Sequence, residues 1–228
     1  MKLTINTSFP ENGSSQSLLI LVDSEQLQNT TATYQINNLD TLIEASQFKA
    51  ALAESLSLIG QVSQSSHAAL IGLGKVAELQ PAKLAKIAQT IIQVTQKKFK
   101  QISIDLTQLP QEFHYLFALF LTQASYGYDE YKSKKNEFVL EQIDLIATHS
   151  VLTTEQLQLV QAVQSGQNLA RDLGNRPGNI CFPEYLAEQA VALAAEYPEL
   201  LKVTVLDEQQ MADLGMGAFV LRVAGWPR

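Results

Sequence analysis

TTEQLQLVQAVQSGQNLARDLGNRPGNICF, residues Thr153 to Phe182, is the stretch at which the chain divides. The Thr153 hydroxyl can accept from the first unpaired amides of a helix, and Gln156, three residues on, can reach back to the Thr153 amide as in a capping box. Leu157, Val160, Val163, Leu169 and Leu173 then recur at helical spacing, with Gln158, Gln161, Gln164 and Arg171 opposite them. That pattern predicts a helix packed on one side only. Gly174 stands where a left-handed residue would end it, and Arg176-Pro177-Gly178-Asn179 places Pro second and Gly third, as a type II turn requires. The expected organisation is an α/β domain over residues 1–150, a linker helix over 151–174 and the beginning of a second α/β domain over 175–228.

Upstream, strands and helices alternate. Lys2 to Thr7 alternates as a strand does, and the apolar run Leu18 to Val22 reads as a strand covered on both faces, the two forming a hairpin or neighbouring pair. Asn38 or Asp40 can cap a helix carrying Leu42, Ile43, Ala45, Phe48, Leu52 and Leu56, and two strands follow at Leu58 to Val62 and Ala68 to Leu73. Pro81 suits the first turn of a helix with Leu84, Ile87, Ala88, Ile91 and Val94 inward. A strand at Ile102 to Leu106 comes next, then a helix opened by Pro110 with Phe113, Leu116, Phe117, Phe120 and Leu121 inward, and a last strand at Phe138 to Ala147. This order implies a largely parallel or mixed sheet covered by helices on both faces. After Asn179 the pattern restarts: a helix from Pro183 to Tyr197, a short strand at Lys202 to Leu206, a helix capped by Asp207 with Gln210 and closed by Gly215, and a strand at Phe219 to Val223.

Composition narrows the function. The 228 residues are 46% hydrophobic and 17% charged, which suits a globular chain with a sizeable core. A net charge of −7 argues against a nucleic-acid partner, because phosphate binding needs a surplus of Lys and Arg on one face. The single cysteine, Cys181, excludes an internal disulfide and a four-cysteine metal site. Met1 to Asn12 lacks the apolar core of a signal peptide, and Leu18 to Val22 is too short to cross a bilayer, so the expectation is a cytoplasmic protein with no membrane partner.

The chemistry-bearing residues are sparse. Gly72-Leu73-Gly74 follows a strand, but Ala77 stands where a dinucleotide fingerprint needs its third glycine, which favours a tight turn. His67, His114 and His149 have no ligand partner at metal-binding spacing, and Cys181 has only Arg176 near it in sequence. Tyr126 to Lys135 interleaves tyrosines with three lysines, a pattern that can stack on a nucleic-acid strand, yet Asp129, Glu130 and Glu137 dilute it toward a solvated loop. No nucleophile elbow, phosphate-binding loop or paired carboxylates are present.

Asn168-Leu-Ala-Arg-Asp-Leu-Gly-Asn175, Arg176-Pro177-Gly178-Asn179, Pro183-Glu-Tyr-Leu-Ala187, Val203-Thr-Val-Leu-Asp207 and Leu214-Gly-Met-Gly-Ala218 together resemble the opening of the catalytic domain of the leucyl (cytosol) aminopeptidases. Leu70-Ile-Gly-Leu-Gly-Lys75 and the Tyr126 to Lys135 run are similar to segments of that family's N-terminal domain. Gly178 departs from the family's usual second proline, and Val220 to Arg228 shows no family pattern. The resemblance implies a macrodomain-like N-terminal domain, a linking helix and a larger catalytic domain holding two divalent metals, Zn or Mn. It also implies peptide substrates and a homo-oligomer, typically a hexamer. The family's ligands, a lysine, several aspartates and a glutamate, lie in motifs downstream of Gly215-Met216-Gly217, so no catalytic, metal or cofactor-binding residue carries over to this chain.

The expectation is therefore an N-terminal portion of a leucyl aminopeptidase, inactive by itself and holding no metal. Either a deliberately shortened chain or a shifted reading frame that wrote the unfamiliar tail would account for it, the second being more economical. The alternative is a stand-alone macrodomain-like module that binds a nucleotide or nucleic acid, or that serves oligomerisation.

Overall fold

A computed structural model describes residues 1–7, 17–34, 36, 38–62, 65–147 and 152–218. The chain divides into two compact units, Met1–Arg171 and Asp172–Arg228.

In the first unit the described strands are β1 (Lys2–Asn6), β2 (Ser17–Asp23), β3 (Ser55–Val62), β4 (Ser65–Gly74), β5 (Gln101–Asp105) and β6 (Gln142–Ile146). They form one sheet in the order β1-β6-β5-β2-β4-β3, parallel throughout except that β3 runs antiparallel to β4. The sheet is thus mixed and mostly parallel, as the alternation of elements implies. The expected pairing of the first two strands is wrong: β1 lies on the edge beside β6, while β2 sits between β4 and β5. Every residue of β2 is buried, because a central parallel strand carries helices on both faces and an unbroken apolar run is what that position demands.

One face is covered by α3 (Pro81–Thr95) and α4 (His114–Ala124). Leu19, Leu21, Ile71, Ile102, Ile104, Ile143 and Leu145 from the strands meet Leu84, Ile87, Ile91, Phe117 and Leu121 there. The other face packs Leu18, Ile20, Val22 and Leu70 against Tyr34 at the end of α1 (Leu27–Tyr34), and against Leu39 at the start of α2 (Leu39–Ser46) and Phe48 just beyond it. Sequence periodicity misses α1 and makes α2 too long. Asn38 caps α2 in a left-handed conformation without a side-chain bond, the helix ends at Ser46, and Leu56 belongs to β3. The last strand is also shorter than expected, since only Gln142 to Ile146 find ladder partners.

The helix read first from the sequence is α5 (Thr154–Asn175). Its capping box is present: the Gln156 amide donates to Thr153 Oγ1 at 3.2 Å and the Thr153 amide to Gln156 Oε1 at 2.9 Å. Leu157 and Val160 are buried in the core of the first unit, whereas Val163, Leu169 and Leu173 are only half-buried. Gln161 and Gln164, assigned to the solvent side by spacing, instead donate to Leu3 O and Ser125 Oγ, each at 3.4 Å. Gly174 does not terminate the helix; it lies inside it without a positive φ. Nor is there a type II turn at Arg176, because Gly178 has no positive φ; the turn starts one residue later, with the Ile180 amide donating to Pro177 O at 2.9 Å.

The second unit contains α6 (Pro183–Glu196) and α7 (Glu208–Asp213). Asp207 and Gln210 form the expected capping box on α7, and Gly215 follows in the left-handed region at φ 72°. Lys202 to Leu206 is not a strand: it joins no ladder among the described residues, and a lone segment without a hydrogen-bonded neighbour is not stable as one. The strand expected at Phe219 to Val223 lies outside the described residues. Several large apolar side chains of this unit face solvent, Leu200 at 81%, Leu214 at 65% and Val205 at 55% exposure among them.

Candidate functional site

In a parallel sheet the connections leave from the carboxyl ends of the strands, and a crevice opens where they depart in opposite directions. Here that point is β2. The chain leaving β2 passes through α1, α2 and β3 to β4 on one side, and α3 then returns it to β5 on the other. The carboxyl ends of β2, β4 and β5 place Asp23, Gly74 and Asp105 along one edge.

A cavity of about 440 Å³ opens at this edge, with Asp23, Tyr34, Thr107 and Gln108 in its wall. Asp105 is 3% exposed and its carboxylate is fully engaged: Oδ2 accepts from the Tyr34 hydroxyl, and Oδ1 accepts from the Thr107 amide at 2.8 Å and its hydroxyl at 2.5 Å. Burial, together with the Asp105 charge, pushes the Tyr34 phenol far above its ordinary pKa, so it stays protonated and donates. Asp23 is 7% exposed; its Oδ1 accepts the Glu25 amide at 3.0 Å, and its own amide donates to Gln108 Oε1 at 2.8 Å. Gln108 lies 85 residues along the chain, so no sequence spacing could have joined it to Asp23.

The glycine pair Gly72 and Gly74 is structural. A Cβ on Gly72 would fall inside the van der Waals envelope of Ala51 O, and 2.5 Å from Ala50 C. Residues Ala50 to Glu54 run against the strand here, with the Gly72 amide donating to Glu54 O at 2.8 Å and the Gly74 amide to Ala50 O at 3.0 Å. Glycine is needed at 72 for the close approach of this chain's own backbone rather than of a phosphate.

The remaining candidates lie apart. His67 bridges two strands, with Nδ1 2.7 Å from Ser17 Oγ and Nε2 3.2 Å from Ser57 Oγ, and its ring packs on Phe99 at 4.6 Å. Desolvation first, and Lys98 second, hold its pKa below the ordinary histidine value. His114 is buried, 2.9 Å from Leu109 O, and desolvation lowers its pKa too; it ties the helix start to the preceding loop. His149 lies outside the described residues. In Tyr126 to Lys135, Arg171 stacks over Tyr126 at 5.0 Å and the Asn136 amide donates to Asp129 Oδ2 at 2.8 Å, while all three lysines are exposed. Cys181 is half-buried. Sequence reading missed Asp144 and Ser103, which are buried side by side on β6 and β5. Asp144 accepts from Thr4, Gln101 and Gln142, and the Ser103 hydroxyl has no hydrogen-bond partner among the described residues. Polar side chains at strand positions gave only the weak signal of an interrupted apolar alternation.

No three His, Cys, Asp or Glu side chains come together in a way that could hold a metal ion among the described residues. No helix among them is long and apolar enough to cross a membrane.

Comparison with known proteins places this geometry. Residues 19–135 match the N-terminal domain of the cytosol aminopeptidase family, and residues 168–225 match its catalytic domain. The second match runs past Val220, where no family pattern was expected, and this removes the basis for reading the tail as a shifted frame. A probable cytosol aminopeptidase of Acinetobacter baumannii (strain ATCC 17978) is 69% identical over 220 residues, covering 96% of this chain and 46% of the relative. The corresponding protein of Acinetobacter baylyi (strain ADP1) is 62% identical over the same shares. The chain therefore spans about half the length of the curated relatives it matches. Among solved structures, a tomato leucine aminopeptidase mutant superposes with a TM-score of 0.77 at 19% identity, over 94% of this chain and 46% of that one. The bottromycin maturation enzyme BotP in complex with Mn does so at 0.62 and 16%, over 80% and 37%. The mixed α/β fold around a six-stranded sheet is shared with these structures, and the chain belongs to the cytosol aminopeptidase family.

Proposed function

We propose that this chain serves the metal-dependent removal of N-terminal amino acids from peptides, contributing an N-terminal domain and the opening of the catalytic domain, and that residues 1–228 alone do not perform the reaction. The observation that carries this reading is the presence of both family domains, in order, on one chain. In the proposed division, residues 1–150 form a macrodomain-like domain, 151–174 the linker helix and 175–228 the first part of the metallopeptidase domain. The apolar side chains exposed on α6 and beyond, such as Leu186, Val191 and Leu200, are then surfaces that the body of a catalytic domain would cover.

The family's two divalent metals, when bound, polarise the peptide carbonyl and activate the attacking water. The side chains described here do not fit such a pair, so no step of the hydrolysis is assigned to a residue of this chain. The expected assembly is a homo-oligomer, and the expected compartment is the cytoplasm.

Two measurements test the proposal. Purified 228-residue protein should release no more leucine from a leucyl anilide than a metal-only blank, with Mn²⁺ or Zn²⁺ in excess; turnover above the blank refutes the inactivity. Joining residues 1–218 to the remaining catalytic domain of the Acinetobacter baumannii relative should give metal-dependent release. A chimaera that folds and binds metal but releases nothing would refute the assigned role.

A further inference from the structure

We propose that the crevice at the carboxyl edge of the sheet binds the ammonium end of a short peptide, with the Asp23 carboxylate receiving the positive charge. The site belongs to the first unit.

Four observations lead there. The cavity, at about 440 Å³, has the size of small-molecule sites, which run from roughly 300 to 1,000 Å³, and lies at the topological switch point where such sites open in parallel sheets. Among the described residues its wall contains no lysine or arginine; Lys75, next to the lining residue Val76, pairs with Glu25 at 3.5 Å. A phosphate or carboxylate ligand would find no side-chain counter-charge there and would face the Asp23 carboxylate. This sets the crevice against nucleotides.

Asp23 and Asp105 are not equivalent. Asp105 already accepts three hydrogen bonds from Tyr34 and Thr107. Asp23 is almost as deeply buried, yet its described bonding to the carboxylate is a single amide, from Glu25, and no lysine or arginine lies within ion-pair distance of it among the described residues. A desolvated carboxylate without a counter-ion is the group that gains most from a cationic donor. Among the described residues no three His, Cys, Asp or Glu ligands are assembled there, so the cation that fits them is an organic ammonium rather than a metal ion.

The rest of the wall selects a peptide over a bare amine. Gln26, Asn29 and Gln111 carry side-chain amides, each able to donate and accept as a peptide group does. Val76, Leu109 and Pro110 supply an apolar surface for the first side chain.

Calorimetric or NMR titration of the 228-residue chain with Leu-Gly-Gly amide tests this. Binding should weaken at least about tenfold when the peptide is N-acetylated, and by a similar factor in Asp23→Asn, which keeps an oxygen for the Glu25 amide. Leu-Gly-Gly with a free carboxylate and n-butylamine should both bind more weakly than the peptide amide. The acetylation arm uses wild-type protein and so stands even where the variant does not fold. Absence of binding, or binding indifferent to acetylation, overturns the proposal. Binding to Asp23→Asn as tight as to wild type overturns the role of Asp23, and n-butylamine binding as tightly as the peptide overturns the peptide assignment. Because the readout is binding without turnover, its failure leaves the aminopeptidase reading untouched, and inactivity in a peptidase assay says nothing against this site.

Discussion

Replacing Gly72 by alanine should be among the most damaging single-methyl changes in the first unit. The added Cβ meets Ala51 O inside contact distance and lies 2.5 Å from Ala50 C and 2.6 Å from Ala50 O, all backbone atoms with no rotamer to escape into. Relief requires the Ala50 to Glu54 segment to move by about an ångström. That segment is held by the Ala53 amide on Gly72 O at 2.8 Å, the Gly72 amide on Glu54 O at 2.8 Å and the Gly74 amide on Ala50 O at 3.0 Å, and it buries Ala50 completely. Losing two of these bonds at about 1 kcal/mol each, with about 1 kcal/mol of packing strain, predicts a destabilisation of roughly 2–4 kcal/mol. Gly74→Ala is the informative control. Gly74 has φ +69°, yet a Cβ there would be 3.6 Å from its nearest neighbour, so only the conformational cost of roughly 1–2 kcal/mol applies. Urea unfolding followed by circular dichroism should rank Gly72→Ala below Gly74→Ala, and both below wild type. If Gly72→Ala unfolds at the wild-type midpoint, or is the milder of the two, the close approach of the two backbones is not what the glycine serves.

Stability of the first unit should fall as pH drops below the ordinary histidine range near 6.5. His67 and His114 both have folded-state pKa values held down by desolvation, so the unfolded chain takes up protons first and the loss accumulates until the folded values are reached. A His67→Gln, His114→Gln double variant should flatten that slope between pH 7 and 5, and an unchanged slope refutes the assignment. Thr153→Ala removes the capping oxygen of α5 and should cost about 1 kcal/mol in thermal unfolding, while Thr153→Ser should cost little; equal effects would contradict the capping role. Amides of Ile180 to Gly217 should exchange orders of magnitude faster than those of Ile102 to Ile104, since the described second unit has no strand ladder and no fully buried side chain. Comparable protection of the two regions in a dilute monomer would overturn this.

Both capping boxes, Thr153 with Gln156 and Asp207 with Gln210, were legible in the sequence because donor and acceptor lie three residues apart and need only a helix to meet. The same locality made α3, α4 and the central strand β2 readable: their apolar spacing reports which side of each element is covered. It failed where a local signal had more than one outcome. Gly174 could end a helix or be carried within one, and Gly178 could sit in a type II turn or simply follow Pro177; the chain beyond, not the residue, chose.

What the sequence by itself determined is therefore the kind and order of most elements, though not α1 or the extended stretch at Lys202 to Leu206, together with the mixed sheet and the family resemblance, all of which follow from spacings within a few tens of residues. Which strands are neighbours was decided only by the tertiary structure. Lys2 pairs with Gln142, and β2 takes the centre, because loop lengths and burial of both faces of Leu18 to Val22 must be satisfied together. The candidate crevice depends on that choice entirely. Asp23, Tyr34 and Gln108 are scattered along the chain and become one wall only when the crossovers part on either side of β2 and leave its carboxyl end open.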